Sequence, residues 1–266
     1  MPKVAKNKHE QDLAQMVVKS NRMVQQAVYD LSVQEQKLVM YLISKIKPED
    51  DCFVEYDFSL KDLCAACGIS NQGKNYEDFK KAILELQKKS FWIDGDEVDV
   101  LYTWFSRVLI YKDDTRVRIK FGEDLQPFLL QLKQNFTCYE LEKAVVLKSK
   151  YSIRLYEMLK SYSYKGEFVI PVSSLRRRLE IQPDEYTLFN NFKVRVLDKA
   201  ASEINQFTDL DVSWEPIYRE RSVHELRFKI KQKDLLGNTL AEVERKKRLG
   251  FDIITKNTED IERGNV

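Results

Sequence analysis

The same order of apolar and polar segments runs through this chain twice, and a duplication restricts the possible folds more than any single motif does. A stretch carrying Leu38, Leu42, Ile43 and Ile46 at helical spacing leads into an extended segment (CFVEYDF) and a short helical one (SLKDLCAACGI). A loop, a longer helix (NYEDFKKAILELQKK) and a hairpin read from WIDGDEVDV complete the unit. The later half repeats the order with a helix bearing Tyr151, Leu155, Tyr156 and Leu159, the extended GEFVIPV, the short SSLRRRLEI, a longer helix and a second hairpin. Leu42 and Leu155 stand 113 positions apart, Leu63 and Leu175 112, and Phe79 and Phe192 113, so the offset is nearly constant.

A short helix joined by a brief polar loop to a longer one, with a hairpin behind it, is the order of a winged helix. The expected fold class is α+β, two tandem winged-helix domains related by internal duplication. The expected division is a flexible tail over residues 1–20, a first domain over 21–122, a second over 123–234 and a polar tail over 235–266.

The longer helix of the second unit, YTLFNNFKVRVLDKAASEIN from Tyr186 to Asn205, gathers Phe192, Val196, Leu197, Ala200 and Ile204 within roughly 140° when plotted at about 100° per residue. Its opposite face holds Thr187, Asn191, Val194, Arg195, Asp198 and Ser202, with Lys199 on the flank. These are short or forked polar groups, unlike the Glu/Lys alternation of a plain solvated face. Arginine pairs bidentately with guanine and asparagine with adenine in the major groove, so Asn191 and Arg195 are candidates for reading bases. Lys193 falls near the apolar arc and is expected to meet a phosphate at the start of the helix.

Charge separates the two units. Residues 1–130 hold 19 basic and 21 acidic side chains, residues 131–234 hold 19 and 15, and the remainder 6 and 6. The excess sits where a phosphate backbone needs neutralising over an extended footprint, on Lys148, Lys150, Arg154, Arg176, Arg177, Arg178, Lys193, Arg195, Lys199, Arg219, Arg221, Arg227 and Lys229. Three consecutive arginines spread about 200° around a helix, so two of Arg176, Arg177 and Arg178 are expected at phosphates. In the second hairpin Leu226, Phe228 and Ile230 alternate with Arg227, Lys229 and Lys231, giving one packed and one basic face. The first hairpin, with Asp94, Asp96, Glu97 and Asp99, would be repelled by phosphates. The first unit is therefore expected to make protein contacts through Phe91 to Ile110, or a weaker DNA contact through lysines such as Lys74 and Lys81.

Other chemistries lack their residues. Cys64 and Cys67 have zinc-type spacing, but there is no second pair, and His9 and His224 are isolated, so no metal site is expected and the thiols are read as core. No histidine cluster accompanies the 13 tyrosines, as metal-dependent DNA nicking would need, and no GxxxxGK[ST] loop is present for ATP hydrolysis. No catalysis and no cofactor are expected. Without an apolar run of about 18 residues or an apolar leader, the expectation is a cytoplasmic protein with no membrane contact.

The segments LSVQEQKLVMYLISKI, SKYSIRLYEMLKSY and YTLFNNFKVRVLDKAASEIN together resemble the iteron-binding plasmid replication initiators, over about residues 20–233. The last two carry unusual aromatic placement and an FK.RVL..A..EIN pattern. The resemblance implies binding to directly repeated double-stranded origin DNA, local strand opening, recruitment of host replication proteins, and a homodimer in equilibrium with monomer that represses its own expression. It also implies that the second winged helix makes the stronger sequence-specific contact. A transcriptional regulator of the same fold and a protein-interaction scaffold remain open as alternatives.

Overall fold

The computed structural model describes residues 8–47, 49–67, 75–95, 97–112 and 116–250. The chain opens with α1 (Lys8–Leu13), β1 (Met16–Ser20), α2 (Asn21–Gln26) and β2 (Ala27–Val28). It continues with α3 (Val33–Ile43), β3 (Tyr56–Ser59), α4 (Leu60–Cys67) and α5 (Asn75–Lys88). Helix α3 starts where a capping box forms: the Ser32 hydroxyl accepts from the Glu35 amide at 3.3 Å, and the Ser32 amide donates to the Glu35 carboxylate at 2.7 Å. Two short strands, β4 (Phe91–Ile93) and β5 (Val100–Tyr102), precede two longer ones, β6 (Phe105–Ile110) and β7 (Arg116–Phe121), and the short α6 (Gln126–Leu129) follows.

The second unit runs β8 (Phe136–Glu140), α7 (Leu141–Val145), α8 (Lys150–Tyr162), β9 (Glu167–Pro171) and α9 (Val172–Arg178). Next come α10 (Phe189–Phe192), a π-helical turn over Lys193–Asp198, and α11 (Lys199–Phe207). The hairpin of β10 (Leu210–Arg219) and β11 (Ser222–Gln232) leads to a final helix, α12 (Leu235–Leu249).

Strand order shows the duplication. Sheet β10-β11-β9 of the second unit has the same antiparallel order as β6-β7-β3 of the first. Phe168 stands opposite Phe228 in the one, and Phe58 opposite Val117 in the other. The matched pairs Leu42 and Leu155, Leu63 and Leu175, and Phe79 and Phe192 are all in the core.

That order corrects the assignment of the first wing. The acidic WIDGDEVDV hairpin is β4–β5, which pairs with β2 in a separate sheet and is an insertion between α5 and the wing proper. The true first wing is β6–β7, and its second strand, RVRIKF, buries Val117, Ile119 and Phe121 while turning Arg116, Arg118 and Lys120 outward. Its alternation matches the Leu226, Phe228 and Ile230 pattern of β11, where the same three-residue apolar face is buried.

The expected tails and boundary also change. Within the expected tail over residues 1–20, β1 pairs with β8 from Met16↔Glu140 to Ser20↔Phe136, and Leu13 and Val17 are buried, so its described part, residues 8–20, is structural; residues 1–7 lie outside the described residues. Residues after 122 still belong to the first unit, since the Phe128 ring meets Tyr102 edge-on at 5.3 Å. Residues 235–249 form α12, clamped by Arg245, which is buried, pairs with Glu142 at 2.8 Å and donates to the Phe207 carbonyl at 2.9 Å.

The two units share one seam with α8 at its centre. Ten of the thirteen residues of α8 are buried, which a helix packed on a single side does not achieve. In the seam Lys19 pairs with Glu157 at 2.5 Å, and the Tyr139 hydroxyl donates to the same carboxylate. Burial alone would raise the Glu157 carboxyl, but the charges of Lys19 and Arg154 outweigh it and hold the group below its ordinary range.

Candidate nucleic-acid interface

The helix expected from Tyr186 begins at Phe189, because Tyr186 adopts a left-handed backbone (φ 46°) that no α-helix accommodates. The turn before it is held by Arg176, whose guanidinium donates to the carbonyls of Glu185 at 2.5 Å and Tyr186 at 3.1 Å and lies 5.4 Å from the Phe192 ring centre. Arg176 thus shapes the helix-turn-helix instead of projecting toward a ligand.

From Phe189 the helix displays Asn191, Val194, Arg195, Lys199 and Ser202 as exposed residues, opposite buried Phe192, Val196, Leu197, Ala200 and Ile204. The expected division into two faces therefore stands. Among the described residues Arg195 and Lys199 enter no ion pair, so their charges are available. Lys193 is different: its ammonium pairs with Asp198 at 2.6 Å across the π turn and lies 5.7 Å from the centre of the Trp214 ring.

The wing brings a second set of cations. Strands β10 and β11 reach almost to the tip, where Arg219 stands opposite Ser222 and only Glu220 and Arg221 turn the corner. Glu220 supplies the positive φ, 55°, that a two-residue connection requires. Arg219 and Arg221 are both exposed there. Farther down, Glu215 ties up Arg227 at 2.9 Å and Lys229 at 3.4 Å, and these hydrogen bonds hold its carboxyl below the ordinary range. The outer face of this sheet is consequently closer to neutral than its sequence alternation suggests.

Other sequence-based candidates divide sharply. Lys148 is exposed, while its amide caps against Glu203 at 3.3 Å. Lys150 pairs with Asp30 at 2.7 Å. Arg154 is buried, donates to the Ala27 carbonyl at 2.6 Å and lies over the Tyr29 ring at 4.8 Å, so its expected DNA contact is corrected to a role in the seam. Arg177 is exposed but pairs with Asp94 of the β4–β5 hairpin at 2.8 Å. Arg178 is half-buried near the same helix end. Lys81 is exposed on α5, and Lys74 lies outside the described residues.

The basic strand of the first wing was missed because the acidic hairpin occupied its place in the reading. The signal was the alternation of RVRIKF, 111 positions before the matching run in β11 when Ile119 is set on Ile230. Here too neighbours neutralise part of the charge: Arg118 forms a two-point contact with Asp57 at 2.7 and 2.9 Å, and Lys120 meets Glu123 at 2.6 Å. Among the described residues no group of three or more His, Cys, Asp and Glu side chains could hold a metal, and Cys64 is buried.

The first domain described as "Initiator Replication protein, WH1" matches residues 16–160, and "Initiator Rep protein, WH2" matches 171–230. The chain belongs to this initiator family. The first family match runs through β8, α7 and most of α8, the elements that lead the second structural repeat. A "Replication initiation protein" of Escherichia coli is 24% identical over 193 residues, which is 68% of this chain and 60% of that protein. The "PI protein" of Escherichia coli is 27% identical over 133 residues, 44% of each. The initiator therefore spans less than two thirds of the length of these relatives. Its fold is that of the crystallised Pi initiator protein in complex with iteron DNA, with a TM-score of 0.67 at 19% identity over 84% of this chain and 99% of that one.

Proposed function

We propose that this initiator starts plasmid replication by binding directly repeated double-stranded origin DNA, with the second unit reading sequence and binding energy, not catalysis, driving strand opening. The observation that carries this reading is that Arg195 and Lys199 are exposed on the outer side of the second long helix and, among the described residues, enter no ion pair, while Arg219 and Arg221 are exposed at the tip of the wing that follows it. In this reading Arg195 and Asn191 meet base edges, while Arg219, Arg221, Lys199, Lys148 and Lys81 meet phosphates, which position without specifying. Bending toward the wings makes a neighbouring A·T-rich stretch easier to open. The relative solved with iteron DNA supports direct repeats as the target.

The first unit serves self-association in the same proposal. Phe91, Ile93 and Phe105 of the expected contact region are buried, which leaves Trp92, Val98 and Leu101, all exposed, as the apolar groups a second copy would cover. Dimers would repress expression and monomers would initiate, with host replication proteins recruited to the opened origin in the cytoplasm. No helix among the described residues is long and apolar enough to cross a membrane.

Selection from a random duplex library, followed by binding at several salt concentrations, tests the proposal. A single selected sequence with a log–log salt slope of several units supports it. Salt-independent binding, or none, would instead favour a protein scaffold, and an inverted repeat bound only by dimers would favour a transcriptional regulator. Permanganate reactivity of thymines beside bound repeats reads the opening step.

A further inference from the structure

Asp198 is a half-exposed carboxylate on the helix that the proposed function sets against DNA, three positions after Arg195. Its side chain is 40% exposed, and Lys193, 42% exposed, donates to it at 2.6 Å. In an α-helix two residues five apart lie about 140° apart around the axis and do not meet. The π turn over Lys193–Asp198 brings them together, because its repeat links residue i with residue i+5. Such turns are uncommon and cluster at functional sites.

A carboxylate here is repelled by every phosphate it approaches, on any sequence. In the major groove that cost is offset only where a base offers a hydrogen-bond donor. Cytosine presents its amino group without the adjacent N7 acceptor that adenine carries, and an acidic side chain is its matching partner. Resting on the proposed function, we propose that Asp198 is a specificity-determining residue that accepts from a cytosine amino group, and that Lys193 parks its carboxylate when no DNA is bound. An ion pair as exposed as this one is weak enough to be exchanged on docking. The exchange releases Lys193 to a phosphate as Asp198 reaches its base, so both groups leave the resting pair with new partners only on the matching sequence.

The test uses the full chain and two duplexes, one selected from a random library by the wild-type protein and one scrambled. Asp198→Ala is expected to weaken binding to the selected duplex about 5- to 150-fold. It should leave the scrambled duplex unchanged or bound more tightly, and preference at a single C·G pair should relax. Asp198→Asn, which keeps the side chain's shape, is expected to move preference at that same pair from cytosine toward adenine, since a carboxamide matches adenine's N6 and N7. Thermal melting confirms that each variant is folded, and the asparagine variant carries the test alone if the alanine one is not. Equal tightening on both duplexes would mean that the carboxylate only repels, and unchanged base preference would mean that the pair is structural. Either result overturns the inference while leaving the proposed function standing; failure of the wild-type protein to select any sequence overturns both.

Discussion

Lys19 and Glu157, 138 positions apart in sequence, meet at 2.5 Å inside the seam between the two units, with their side chains only 4% and 2% exposed. Neither charge can remain there alone, because the effective penalty for an unpaired buried ion is several kcal/mol. Glu157→Ala is therefore expected to cost about 3 to 5 kcal/mol of unfolding free energy, measured by urea titration. The Glu157 carboxyl is held low in the folded chain, so its contribution is present above the unfolded carboxylate pKa, about 4.3, and is lost as pH falls toward the folded value. Stability of the wild type should decline on acidification through that window, and Glu157→Gln should remove this part of the decline. An unchanged acid limb in the glutamine variant would show that other carboxylates govern it.

Arg154 offers a separate test of what belongs to the seam. Arg154→Ala removes its hydrogen bond to the Ala27 carbonyl and its cover of the Tyr29 ring. The variant should lose at least about 2 kcal/mol of stability. The affinity of the folded fraction for DNA should stay within a factor of two or so, since the buried guanidinium is engaged by the Ala27 carbonyl and the Tyr29 ring and is not at the surface to meet a phosphate. A large drop in affinity at unchanged stability would return Arg154 to the DNA contact.

Arg195 and Arg221 should fail in different ways. Arg195→Ala is expected to cost about 1 to 3 kcal/mol on a selected duplex and little on a scrambled one, relaxing preference at one position. Arg221→Ala, at the wing tip, should weaken both duplexes alike and lower the salt slope by about one unit. Binding isotherms at several salt concentrations separate the two. Equal weakening by Arg195→Ala would make the helix a backbone anchor.

Self-association depends on the exposed apolar residues of the β4–β5 hairpin. Leu101→Arg places a charge at a position that is 51% exposed in the single chain, so it should leave melting nearly unchanged while weakening any dimer by at least tenfold in sedimentation equilibrium. A variant that dimerises as well as the wild type would move the interface elsewhere.

The duplication, the helix-turn-helix order and the two faces of the second long helix were legible because each rests on local periodicity: Phe192, Val196, Leu197, Ala200 and Ile204 are buried as their spacing demands. What eluded the sequence depends on partners distant along the chain. Arg154 and Arg176 look like Arg195 in composition, and only the fold shows one under Tyr29, one stapling a turn and one in solvent. The first wing was misplaced for a different reason: an inserted hairpin with its own strand signals stood where the duplicated pattern called for a wing, and both read alike until strand pairing was known.

The pairing of β1 with β8 orders events during synthesis. Met16–Ser20 leaves the ribosome long before Phe136–Glu140 exists, so the N-terminal unit waits for more than a hundred residues before its outer strand finds a neighbour. Closing a loop of that length is entropically slow compared with forming the local hairpins on either side. Until then Val17 and Leu13, buried in the finished molecule, stay in water, and the nascent chain carries an open strand edge that invites pairing with another chain.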